Sequence, residues 1–186
     1  MLNKQNGFSL IELMVTLTII SSALFFGLPS LGAWVQSNQI RTAAEAIQNG
    51  LQITRSEAVR RNTSVQLVLS SLAGGGTSSD WSITCVTPSI TCPGVGQNPT
   101  EIQKRMGVDG SANAVVTSAQ STIVFNGMGR MTTPTADLTL NITNPVGGTC
   151  AAANGRMRCL NVVVSTGGHV RMCDPAFATG SNPRAC

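Results

Sequence analysis

Side chains able to do chemistry are few in this chain, and they are unevenly spread. Beyond residue 62 there are five carboxylates (Asp80, Glu101, Asp109, Asp137 and Asp174) and the chain's one histidine, His169. They form no recognisable nucleophile–base constellation, and Asp174 directly before Pro175 reads as turn chemistry, so no catalytic residues are expected. "LAGGGTSSD", residues 72–80, lacks the Gly-Lys-Ser/Thr ending and the following helix of a phosphate loop. No cofactor is expected. The six cysteines, Cys85, Cys92, Cys150, Cys159, Cys173 and Cys186, all lie beyond residue 84. Zinc sites favour close Cys pairs with His partners, whereas here the closest two have six residues between them and there is one His. Metal is therefore not expected, and disulfides are. Six cysteines allow fifteen pairings; sequence neighbours give Cys85–Cys92, Cys150–Cys159 and Cys173–Cys186. Each short loop would contribute about 2–3 kcal/mol on the loop-entropy estimate. Disulfides imply an oxidising compartment.

One more carboxylate, Glu12, stands where it is least comfortable. It is the only ionisable side chain in "GFSLIELMVTLTIISSALFFGLPSLGAWV", which runs from Gly7 to Val35. A charge of this kind at the centre of a membrane helix costs about 2.5–3.5 kcal/mol on insertion scales. Intramembrane charges are rare and usually functional.

Composition and periodicity indicate the surrounding secondary structure. Charged residues make up 11% of the 186, Tyr is absent and Gly, Ser, Thr and Asn are abundant, which argues for a β-rich head with long loops. A net charge of +4 is mild and names no partner. "MLNKQNG" is too short for an ordinary secretory signal, and no small-x-small site closes the apolar run. Residues 13–34 match the ~20 apolar residues that cross a bilayer. Lys4 puts the short end in the cytoplasm and the cysteine-bearing bulk outside. Helical character continues: Ile40, Ala44, Ile47, Leu51, Thr54 and Ala58 recur at spacings of three and four, one stripe of a helix. Arg41 with Glu45, and Glu57 with Arg61, are i,i+4 pairs on the polar side. The helix should end near Asn62, giving about 80 Å of helix from Phe8 at 1.5 Å per residue. Gly27, Pro29 and Gly32 make its middle a soft place. Beyond it, strands are expected over 65–70, 81–86, 101–107, 122–126, 138–143, 159–165 and 169–173, with "STGGH" a hairpin turn.

"GFSLIELMVTLTII", with Pro29 downstream and an amphipathic continuation, resembles the class III signal of type IV pilins and pseudopilins. "RSEAVRRN", "VFNGMGRM" and the ending "VVVSTGGHVRMCDP…NPRAC" resemble the GspH/FimT branch of that superfamily. The resemblance implies an α+β fold. A long N-terminal helix, half transmembrane and half amphipathic, packs on an antiparallel, sandwich-like head stapled by disulfides. It implies a leader 1–7 cut after Gly7 by a prepilin peptidase, and an N-methylated Phe8. A filament-core helix 8–35, an amphipathic helix 36–62 and a head 63–186 would follow. Glu12 of one subunit would then neutralise the Phe8 amine of a neighbour, since a paired buried charge is tolerable where a lone one is not.

The implied location is the bacterial inner membrane, single-pass with a periplasmic head, and afterwards a pilus or pseudopilus filament. The implied partners are other minor and major pilins, the peptidase and inner-membrane lipid. Some FimT-type members bind DNA through G-R-x-R in the last hairpin. Here that place reads Gly168-His169-Val170-Arg171, and a literal Gly155-Arg156-Met157-Arg158 lies earlier. On strands, Arg156 with Arg158, and His169 with Arg171, would share faces. They could contact phosphates in a weak, salt-sensitive way, or be solvated edge-strand charges.

Overall fold

The computed structural model describes residues 9–70, 79–87, 92, 101–178, 180 and 182–186; within the helix, the side chains of residues 26–31 and 33 are outside that description. The leader 1–7, Phe8 and most of the 72–80 link lie outside the described residues.

Helix α1 (Leu10–Arg61) is 52 residues long, and its backbone stays helical through Gly27, Pro29 and Gly32. It stops at Asn62, whose left-handed backbone (φ 48°, ψ 42°) lets its N–H return to the Ala58 and Val59 carbonyls. Arg60 and Arg61 lie in the last turn, where cations suit the helix dipole. The two halves of α1 face different surroundings. Residues 10–25 are exposed all round, Leu10, Ile11, Ile19 and Phe25 among them. From Ile40 onward one stripe is sealed: Ile40, Ala44, Ile47, Leu51, Thr54 and Ala58 all have 0% exposure. Ala43 joins them. Thr54 is tolerated there because its hydroxyl donates to the Gly50 carbonyl (2.7 Å). Among the described residues no helix is long and apolar enough to cross a membrane. Part of the 13–34 stretch, residues 26–31 and 33, has its side chains outside that description.

Among the described residues, nine strands form two antiparallel sheets against the second half of α1. The first has the order β3-β2-β1-β5-β6, from β1 (Val65–Leu69), β2 (Trp81–Cys85), β3 (Glu101–Arg105), β5 (Thr122–Phe125) and β6 (Met131–Thr133). The second has the order β4-β7-β8-β9, from β4 (Val115–Thr117), β7 (Leu138–Thr143), β8 (Leu160–Val164) and β9 (Val170–Cys173). Period-two alternation buries Val65, Leu67 and Leu69 from β1, Trp81 and Ile83 from β2, and Leu138, Leu140 and Ile142 from β7. Gly50 admits the helix to the first sheet: a Cβ there would lie 3.1 Å from Leu67 Cδ1 and from the Trp81 ring. The sheets meet at one edge, where Met131 N–H donates to the Thr166 carbonyl (3.1 Å) in the β8–β9 turn. β4 and β6 were not among the expected strands. Each has three residues, too few for alternation to register, and β6 follows a Gly-rich turn.

Three disulfides staple the head: Cys85–Cys92, Cys150–Cys159 and Cys173–Cys186, with Cα separations of 6.2, 5.5 and 5.1 Å. These fall within the usual bridging range of roughly 4.4–6.8 Å.

Candidate functional site

The first half of α1 presents large apolar side chains on every side. Its hydroxyls are turned back on their own helix: Thr16 to Leu13 O (2.9 Å), Thr18 to Val15 O (2.8 Å), Ser21 to Leu17 O (2.7 Å) and Ser22 to Ile19 O (2.8 Å). Such back-bonding removes the polar demand of a hydroxyl in an apolar setting. Glu12, exposed in the first turn, is then the charged group on that surface among the described residues. Gly7 and Phe8 lie outside the description, as does the Pro29 side chain.

At the other end of α1, three runs singled out in the sequence converge. Arg55 reaches across to donate from Nε to the Gly129 carbonyl (3.0 Å). Gly129 closes the β5–β6 turn, which Asn126 organises by accepting from Met128 N and Arg130 N, both 3.1 Å. Gly168, from the β8–β9 turn, lies against the same carbonyl; its φ is +83°, and a Cβ there would collide with Gly129 O. Gly127 also approaches Asn62 closely, a Cβ there falling 2.6 Å from Asn62 Oδ1. "RSEAVRRN", "VFNGMGRM" and "STGGH" are thus one junction binding helix, first sheet and second sheet. Beside it lies a cleft of about 730 Å³ lined by Gln52, Arg55, Val59, Arg60, Gly168 and His169. Glu57 on the same turn of helix takes hydrogen bonds from Arg60 Nη2 (2.6 Å) and Arg61 Nε (2.7 Å). Burial opposes ionisation of Glu57, but these two guanidinium partners outweigh it and hold the carboxyl below its ordinary pKa.

The four candidate cations separate. Arg158 donates from Nε to Asp174 Oδ2 (2.8 Å), a carboxylate only 4% exposed. Arg158 also lies over the Phe177 ring at 5.3 Å, with Arg184 over the same ring at 5.8 Å. Arg171 donates to the Ala185 and Cys186 carbonyls, both 3.2 Å, and so holds the C-terminal tail. Arg156 and His169 are exposed. Arg158 lines a cleft of about 380 Å³ with Arg41, Glu45 and Arg184, whereas His169 lines the one beside Arg55. Measured along α1 these clefts are about 20 Å apart. Arg156-Met157-Arg158 is no strand; Met157 makes a single bridge to Cys150. Arg55, Asp174, Phe177 and Arg184 carry these arrangements and were not expected as site residues. For Arg55 a signal existed, its place in "RSEAVRRN". Among the described residues no His, Cys, Asp and Glu cluster could hold a metal ion.

A long helix, exposed and apolar in its first half and serving in its second as the spine of an antiparallel two-sheet head, defines a pilin-type subunit. The chain belongs to the GspH family: the type II transport protein GspH model matches residues 43–168, and the prokaryotic N-terminal methylation motif matches residues 2–27. It is a minor pilin or pseudopilin of the type IV pilus or type II secretion class, a structural subunit and not an enzyme. Proteins of this class are membrane-anchored first and filament-associated afterwards. The fold is similar to that of the type IV minor pilin FimU of Pseudomonas aeruginosa: TM-score 0.54, 19% identity, covering 82% of this chain and 98% of that one. It is also similar to the minor pseudopilin EpsH from the type 2 secretion system of Vibrio cholerae: TM-score 0.50, 9% identity, covering 75% of this chain and 100% of that one. No curated protein matches the chain in sequence.

Proposed function

We propose that this subunit enters a filament by its N-terminal helix and that its head primes or caps assembly through contacts with other minor and major subunits. In this reading residues 1–7 are removed behind Gly7, Phe8 is N-methylated, residues 8–35 pass from the inner membrane into the filament core, and the head from residue 63 stands in the periplasm. The observation that carries it is the exposed apolar half of α1, where every hydroxyl of residues 10–25 is bonded inward and Glu12 stands exposed among apolar side chains. A surface so prepared suits packing among like helices, with Glu12 rewarding the one register that brings a neighbour's Phe8 amine to it. A type IV pilus is favoured over a secretion pseudopilus by the "CDP…NPRAC" ending, which resembles FimT/FimU-like members.

The cation geometry favours assembly over DNA uptake. Arg158 and Arg171 have partners within the head, and His169 lines a different cleft from Arg158. Phosphate binding gains from several cations acting together.

Glu12→Leu tests the docking role. The substitution removes an intramembrane charge and also the partner of the amine. Cells should retain the variant in the inner membrane yet assemble fewer filaments, or secrete less. Normal assembly by Glu12→Leu contradicts the proposal.

A further inference from the structure

We propose that the loop between β7 and β8, residues 144–159, seats the head on the bilayer surface before assembly, its occupant being an anionic phospholipid surface. This rests on the membrane-anchored reading of α1. The loop is pinned to the helix where the apolar half ends. Asn144, 1% exposed, donates from Nδ2 to Gln36 Oε1 (2.6 Å) and to Gln39 Oε1 (3.3 Å). Gly147 packs so closely that a Cβ would fall 3.0 Å from Gln36 Cβ. Gln36 is two residues past Trp34, about 3 Å of helical rise. Trp34 is 64% exposed, and tryptophan favours the headgroup level of a bilayer.

The loop itself offers apolar and basic groups and no acid. Val146 is 69% exposed, Pro145 and the three alanines of the Ala151–Ala153 turn are exposed, Arg156 is exposed, and residues 144–159 contain no Asp or Glu. The exposure is built in, since the loop's shape is fixed three ways. Cys150 is bonded to Cys159, Met157 is buried, and Ala151 N–H donates to Met157 O (2.7 Å) while Met157 N–H donates to Thr149 O (3.1 Å). A rigid tip of Pro145 and Val146 can enter the headgroup layer without ordering cost, and Arg156 adds attraction to lipid phosphates.

The test uses the full chain, one copy per nanodisc of mixed zwitterionic and anionic phospholipid, with methyl NMR and nitroxide-bearing lipids. A headgroup nitroxide should strip most of the intensity from the Val146 and Ala151–Ala153 methyls. It should spare the Met128 methyl, which is 78% exposed in the turn held by Arg55, about 28 Å further along the helix. Val146→Asp should restore the alanine signals. An acyl-chain nitroxide reports on the anchor through Leu17 and Ile19. If those are broadened while Val146 keeps its intensity, the seat is overturned and the anchor stands. If Leu17 and Ile19 are untouched, anchor and seat fall together. Equal loss at Met128 and Val146, or loss at Val146 only in nanodiscs holding two chains, overturns the lipid assignment; the second result gives the loop to a neighbouring subunit.

Discussion

Glu57 has two guanidinium groups within 2.7 Å, and its side chain is 16% exposed. Its carboxyl is held below the ordinary pKa, so ionised Glu57 stabilises the fold above the unfolded-state value, and that stabilisation disappears as pH falls through the folded-state value. Glu57→Gln should therefore be less stable than the parent by about 1 kcal/mol near neutrality, with the gap closing in acid. Thermal unfolding across a pH series checks this, and a gap independent of pH contradicts it. The Glu57–Arg61 pair was legible from its i,i+4 spacing; Arg60, at i+3, enters only because the side chain settles between the two. For Arg158 and Arg171 the sequence offered phosphate contact or solvation. Their actual partners are Asp174, Phe177 and the Ala185 and Cys186 carbonyls, which come from a tail that doubles back. No local pattern encodes that return.

Among the elements, the helix was the most legible because the stripe from Ile40 to Ala58 repeats over several turns, and all six of its residues are sealed. Strands of four to six residues with clear alternation were readable; the three-residue β4 and β6 were not. β4 owes its place to pairing with β7, a partner distant in sequence. The junction of Arg55, Gly129 and Gly168 was visible as three separate runs but not as one site, since its contacts join a helix to two turns far apart in the chain. Gly168 is its most demanding position, needing both a left-handed backbone and an absent Cβ. Gly168→Ala should cost about 3 kcal/mol or more. Hydrogen exchange should quicken at the Met131 amide, which bonds to the same β8–β9 turn. An unchanged melting temperature with unchanged Met131 protection contradicts the junction.

On the scale of the whole molecule, the head is a modest domain that relies on covalent staples to hold its loops. The tail beyond β9 has Pro175 and Pro183, and its one large apolar residue, Phe177, is half-buried beneath two arginines. The Cys173–Cys186 bond, across a sequence separation of 13, keeps this segment on the head. Cys186→Ser should remove about 3 kcal/mol on the loop-entropy estimate, out of a typical total of about 5–15 kcal/mol. It should leave α1 and its processing intact. Melting of the purified full chain in detergent checks the first expectation, and a melting temperature equal to that of the parent contradicts it. In the proposed role the chain is processed behind Gly7 and then enters a filament by the exposed half of α1. Mass spectrometry of filaments sheared from cells tests both parts at once. The sheared fraction should contain this subunit as a chain beginning at N-methyl-Phe8. A subunit that keeps Met1 in cells with active peptidase, or a processed one that stays entirely in the membrane, would contradict it.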